Sequence, residues 1–170
     1  STTPTTTVEM STTTSTPSPT TTTAITSQEL LRCDSFVSIT DSGDGFSASG
    51  SISVQYTKDN EIFAKFVDVS VLNDGDDAVG TFMGHAHVDV CATGGGVHWK
   101  ADENGPMDAT NELWLPSINL TSSNVPFSST SPVIQASPVS ALFGIKSFVI
   151  HEMVGEHHHK RVCCDFSMVA

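Results

Sequence analysis

Basic residues are scarce in this 170-residue chain: seven Lys and Arg stand against nineteen Asp and Glu, a formal net charge of −12. Nucleic-acid binding needs a basic surface, so this balance excludes it, and it disfavours adsorption to anionic membranes. No apolar run reaches the ~20 residues of a membrane span. Apart from a weak helical turn at Gln28 to Leu31, no segment carries a sustained i, i+3, i+4, i+7 apolar pattern, so long amphipathic helices are not expected. No Gly-Lys-Ser/Thr follows Gly94-Gly95-Gly96, which reads as a tight loop using positive φ rather than as a phosphate loop. There is no nucleophile elbow, no catalytic triad and no internal repeat. The acids of Asn73-Asp74-Gly75-Asp76-Asp77 lack the glycine and terminal Glu of a calcium loop, so a solvated hairpin turn is the reading. The first residue is not Met and no signal peptide precedes it, as expected of a processed product or a fragment.

What is present falls into two parts. Ser1 to Gln28 is almost entirely Thr, Ser and Pro, with Glu9 its single charge and Val8, Met10, Ala24 and Ile25 its apolar residues. Such a segment cannot bury a core. It reads as a disordered, extended stalk carrying O-glycans, with a plain linker as the alternative. Residues 29–170 are long enough for one domain with a proper core. Four cysteines, Cys33, Cys91, Cys163 and Cys164, contain no C-x-x-C pair. Two disulfides and an oxidising, extracellular compartment are therefore favoured over a zinc site. Adjacent Cys163 and Cys164 on a strand would face opposite sides and take different partners. The sequon Asn119-Leu120-Thr121 fits a glycosylated surface loop.

Period-2 runs dominate the domain. Strands are expected over Phe46 to Tyr56, Glu61 to Leu72, Ala78 to Val90, Glu112 to Leu120, Ser140 to Met153 and Lys160 to Val169. Short strands with long loops indicate an all-β Greek-key sandwich or barrel. His85 and His87 stand two apart on the third run and so point the same way. His98, in Gly96-Val97-His98-Trp99, and His151, in Val149-Ile150-His151-Glu152, complete a candidate nitrogen-rich metal site. His157-His158-His159 is read as a solvated loop, with a metal-collecting patch as the alternative.

The order of these features resembles the copper/zinc superoxide dismutase family, from about Phe46 to Ala170. An H-x-H pair is followed by Cys91, a glycine loop and His98-Trp99. Far downstream come His151-Glu152 and Arg161-Val162-Cys163-Cys164. The resemblance implies a Greek-key β-barrel with His85, His87, His98 and His151 as copper ligands. It implies Arg161 as the active-site arginine that docks the anion and His98 as the ligand that exchanges a proton during turnover; Lys160, beside Arg161, is an assisting cation by its charge. It also implies a Cys91–Cys164 disulfide, which leaves Cys33 for Cys163.

The departures from the family pattern are informative. No histidine lies between His98 and His151, so the family's zinc set is absent and zinc is disfavoured as a cofactor. The stretch from His151 to Arg161 is too short for the family's charged guiding loop. Lys100-Ala101 replaces the family's N-P after the third ligand. The first two departures resemble the family's copper-only branch, and the third alters the local loop. With no zinc on its far nitrogen, the His98 ring needs another partner to orient it; Glu112 is the first candidate and Asp108 the second. The resulting expectation is an extracellular copper enzyme that converts superoxide to dioxygen and hydrogen peroxide. The alternatives are a non-enzymatic copper-binding or structural cell-surface domain, and a zinc-binding adhesion module.

Overall fold

Strand alternation, interrupted where the ladders shift register, builds the molecule. In this computed structural model, residues 26–39, 45–121 and 126–169 are described. The strands are β1 (Ser27–Cys33), β2 (Phe36–Ser38), β3 (Phe46–Thr57), β4 (Glu61–Asn73), β5 (Asp76–Asp77), β6 (Gly80–His87), β7 (Trp114–Leu120), β8 (Phe127–Thr130), β9 (Ile134–Gln135), β10 (Ser147–Val154), β11 (His157–Asp165) and β12 (Ser167–Met168). They form two antiparallel sheets. One runs β12-β1-β3-β4-β5, with β8 and β9 also on β4; the other runs β2-β11-β10-β6-β7. The expectation of an all-β sandwich holds. Most of the stalk reading lies outside the described residues, but Ser27 and Gln28 belong to β1. The domain thus starts before residue 29, and the helical turn expected at Gln28 to Leu31 is strand instead.

The long β3–β4 ribbon shows how the core is filled. Ile62, Ala64 and Phe66 have one parity, and Val69 and Val71 the other, yet all five are buried. A bulge reconciles them. Register shifts between Ser49 and Ser51, where Gly50 (φ 96°) faces Asp68 (φ 50°). A Cβ on Gly50 would run into the Asp68 carbonyl. The extra residue flips the parity, so both halves of β4 face inward. The expected hairpin at Asn73–Asp77 forms, with Asp74 and Gly75 both at positive φ as a two-residue turn requires.

Phe66, Phe82, Phe148, Ile52 and Ile150 fill the space between the sheets, and Phe66 meets Phe148 edge-on at 5.4 Å. Each such side chain contributes about 1.5–3 kcal/mol by leaving water. The sequence pattern missed one element: Pro138–Gly144 is a helix, α1, where a strand was expected from Ser140. Pro138 at its first turn presets the backbone, and seven residues are too few to establish a helical period.

The disulfides correct the expected pairing: they are Cys33–Cys164 and Cys91–Cys163. The reason is strand parity on β11. Cys164 pairs across the ladder with Phe148 and faces the inter-sheet core, where Cys33 of the other sheet waits. Cys163 pairs with Val149 on the outer face and meets Cys91, which lies in a single 3-10 turn, Cys91–Thr93. Asn119 is exposed, but on strand β7 rather than in a loop.

Candidate metal centre

The outer face of the second sheet carries the histidines. On β6, Phe82 and Ala86 point into the core, so His85 and His87 point outward. Ser147 pairs with His87 and Val149 with His85, which sets β10 beside them and brings His151 to the same face. His98 arrives on a return loop. Val88 N donates to Val97 O, Trp99 N donates to Ala86 O, and His87 and His98 form a bridge. Gly94, Gly95 and Gly96 make that return, all at positive φ (72°, 79° and 67°), as the tight-loop reading required. A Cβ on Gly95 would sit 2.7 Å from Val149 Cγ2 and 3.3 Å from His87 Nδ1, so the loop closes directly over the His87 ring.

One nitrogen from each of His85, His87, His98 and His151 can be chosen so that all four lie within 4.8 Å of one another. The His85 ring centroid is 4.0 Å from that of His98 and 4.6 Å from that of His151. His87 Nδ1 donates to Gly96 O at 3.1 Å, which leaves its Nε2 lone pair facing His85 Nδ1 at 3.5 Å. Burial, together with the neighbouring imidazoles, holds His85 well below the ordinary histidine range. Burial likewise pushes His151 down to about 3, with His87 and His98 adding to it, and His87 down to about 4, with His98 and Lys160 adding to it. These rings are therefore neutral, ligand-ready imidazoles at neutral pH.

The outer partners are equally specific. His98 Nδ1 donates to Glu112 Oε2 at 3.1 Å, as expected of the first-named candidate. The same oxygen accepts from Trp114 Nε1 at 2.7 Å. Glu112 is fully buried. Its backbone is fixed in turn, because Glu112 N donates to Asp108 O at 3.0 Å. Asp108 does not orient His98. Its exposed carboxylate accepts from Thr110 N and Oγ1, which shape the turn and lower its own pKa. Trp114 was missed as a site residue, although its place two positions beyond Glu112 offered a signal: same-face neighbours on an extended chain.

The two cations are placed differently. Arg161 donates to Glu152 Oε2 through Nε (2.9 Å) and Nη2 (2.7 Å), and its guanidinium lies 4.7 Å over the buried Phe46 ring. Lys160 instead stands opposite His151 in the ladder. Its Nζ donates to Gly94 O (2.7 Å) and Gly96 O (3.1 Å), and burial lowers its pKa. It thereby braces the carbonyl that orients His87. The cause is a bulge: Ile150 pairs with Val162 but His151 with Lys160, which leaves Arg161 as the extra residue.

The donor set fits a metal ion. Among the described residues, the buried side-chain polar atoms without a partner are Glu112 Oε1 and both ring nitrogens of His151. A buried lone pair left unmatched costs about 1–3 kcal/mol, and a cation on His151 would recover it. Four imidazole nitrogens suit copper or zinc, not magnesium or calcium. The other cluster of metal-type side chains, Cys91, Cys163 and Asp165, has both sulfurs in a disulfide. A groove of about 980 Å³ opens beside the centre, lined by His87, His98, Lys160, Val97, Trp99 and Phe143 among others. His157, His158 and His159 are exposed and extend β11 at its hairpin with β10, in strand conformation rather than in the expected loop. Among the described residues no helix is long and apolar enough to cross a membrane. No protein-family model, no curated protein and no solved structure matches the chain.

Proposed function

We propose that His85, His87, His98 and His151 hold one copper ion and that the protein dismutes superoxide outside the cell. The observation that carries this reading is a converging, buried four-imidazole set whose one exposed-edge member, His98, is backed by a buried carboxylate. Bound copper would supply a Cu(II)/Cu(I) couple, which oxidises one superoxide to dioxygen and reduces a second, with two protons, to hydrogen peroxide.

The chain's own residues supply the rest. His98 has a quarter of its side chain exposed, while Glu112 has none, so this pair can hold a proton at the wall of the groove. Glu112 fixes the His98 tautomer and stabilises the ring whenever it is charged. Trp114 holds the carboxylate still. The groove admits a small anion to His87 and His98. An acidic chain repels superoxide at long range, but at a Debye length of roughly 8 Å a local cation dominates near the site. Lys160 takes that part, with Arg161 as its neighbour in sequence. The two disulfides favour an oxidising compartment.

A second reading, a copper-binding domain without catalysis, gains support from the ion pair that engages Arg161 with Glu152. Metal analysis of protein purified without added metal separates copper from zinc. A pulse measurement of superoxide decay then separates enzyme from binder. The proposal predicts one copper per chain and decay above that of free solution, both lost in His87→Ala. Zinc at the site, or copper with no accelerated decay, would refute it.

A further inference from the structure

The three consecutive histidines of β11 do not act as one group. Alternation splits them. Met153 pairs across the ladder with His158, and His151 lies two residues from Met153, so all three share the outer face. His158 is exposed, Met153 is half-buried and His151 is buried. The His158 ring stands edge-on to the His151 ring, with centroids 6.4 Å apart. His157 and His159 are on the opposite parity and meet each other, with centroids 6.3 Å apart. The groove that reaches His87 and His98 is lined by neither His151 nor His158.

We infer that Met153 and His158 form an entry port for copper, which passes the ion to His151, a ring outside the lining of the groove. The chemistry of the pair fits this task. A thioether is a soft ligand that favours Cu(I), and imidazole accepts either oxidation state. Directly paired strand residues have Cβ atoms about 4.5–5.5 Å apart, within reach of one ion. Two ligands bind an ion more weakly than the four-imidazole set, so transfer runs inward. His151 is the natural receiver, because both its ring nitrogens are buried without a partner. The inference rests on the reading that the four histidines hold copper, and it adds a route to them that is separate from the anion's route.

The test is stopped-flow loading of the metal-free full chain, with aqueous Cu(II) in one series and Cu(I) as its acetonitrile complex in another. Trp114 lies 5.2 Å from His85, ring centroid to ring centroid, so quenching of tryptophan fluorescence reports arrival at the centre. His158→Ala should slow loading several-fold with both ions. Met153→Leu should slow Cu(I) alone. His157→Ala and His159→Ala should match the parent. Final copper stoichiometry and the Cu(II) electron paramagnetic resonance spectrum should be the same in all variants. Unchanged loading in both His158→Ala and Met153→Leu overturns the port. Equal slowing in His157→Ala overturns it in favour of a general surface effect, and an altered Cu(II) spectrum in His158→Ala makes His158 a permanent ligand. A parent chain that takes up no copper is a different result, because it removes the four-histidine reading itself.

Discussion

Replacing Glu112 by Gln isolates the carboxylate charge behind His98. In the native protein one oxygen, Oε2, accepts from both His98 Nδ1 (3.1 Å) and Trp114 Nε1 (2.7 Å), while Oε1 has no partner. A Gln amide oxygen placed at Oε2 keeps both bonds, and its NH2 occupies the unpartnered position. Shape and hydrogen bonding persist, and only the charge is lost. A bond to a charged group is worth about 1.5–3 kcal/mol against about 0.5–1.5 for a neutral one. The Trp114 bond weakens equally with and without metal and cancels from the binding equilibrium. The His98 bond does not cancel, because a ligated imidazole is a more acidic donor. Copper affinity should therefore fall by about 1–2 kcal/mol, roughly 5- to 30-fold in dissociation constant. The metal-free protein should lose less than about 2 kcal/mol at pH 8, since both bonds persist in weaker, neutral form while a buried charge with an unmatched oxygen is removed. Competition against a copper chelator measures the first quantity, and urea unfolding of metal-free protein the second. Affinity within about threefold of the parent would refute the role assigned to Glu112. So would a metal-free loss above about 2 kcal/mol, which would mark Glu112 as a packing residue.

Three further outcomes follow from the same geometry. Metal-free protein should lose stability as pH falls below 6.5, because unfolded histidines take protons that His85, His87 and His151, with lowered folded pKa values, refuse. Between pH 7 and 5.5 the three together give a loss of roughly 4 kcal/mol, and urea midpoints that stay flat over that window would contradict it. Gly95→Ala forces a side chain into positive φ and against Val149 and His87. It should cost about 1–3 kcal/mol in thermal stability and weaken copper binding, whereas Gly94→Ala, with open space around its Cβ, should weaken binding far less. Lys160→Met should lower the superoxide rate most at low ionic strength and flatten its salt dependence; an unchanged salt profile would remove Lys160 from anion attraction.

The site was more legible in the sequence than the pairing around it. His85 and His87 stand two apart on a strand, so their common direction needed only the period of a strand. Glu112 was reachable because a ring without a metal on its far nitrogen requires an acceptor, and few acids lie near in sequence. The burial of Val69 and Val71 alongside Ile62 and Phe66 was not reachable, since it depends on the Gly50–Asp68 bulge, a tertiary accommodation between two strands. Helix α1 was hidden by its length. The disulfides failed by one residue: which of Cys163 and Cys164 faces inward depends on the absolute register of β11, and alternation alone fixes only that they differ.

The bulge at Arg161 has the larger consequence. Had β11 continued in the register of Ile150–Val162, Arg161 would stand opposite His151 and Lys160 opposite Glu152. The extra residue puts Lys160 opposite His151 instead, while Arg161 grips Glu152 and lies over Phe46 at the rim of the core. The exchange alters the chemistry of the wall. A guanidinium is a planar fork suited to a carboxylate, and here it takes one. An ammonium is a compact charge that can bind two carbonyls and still project its field, and Lys160 does so on Gly94 and Gly96. Because Gly96 O also orients His87, the cation nearest the site and the geometry of a ligand are tied to one carbonyl. A change at Lys160 should therefore appear in the spectrum of bound copper as well as in the attraction of the anion, a double signature that a cation serving attraction alone would not produce.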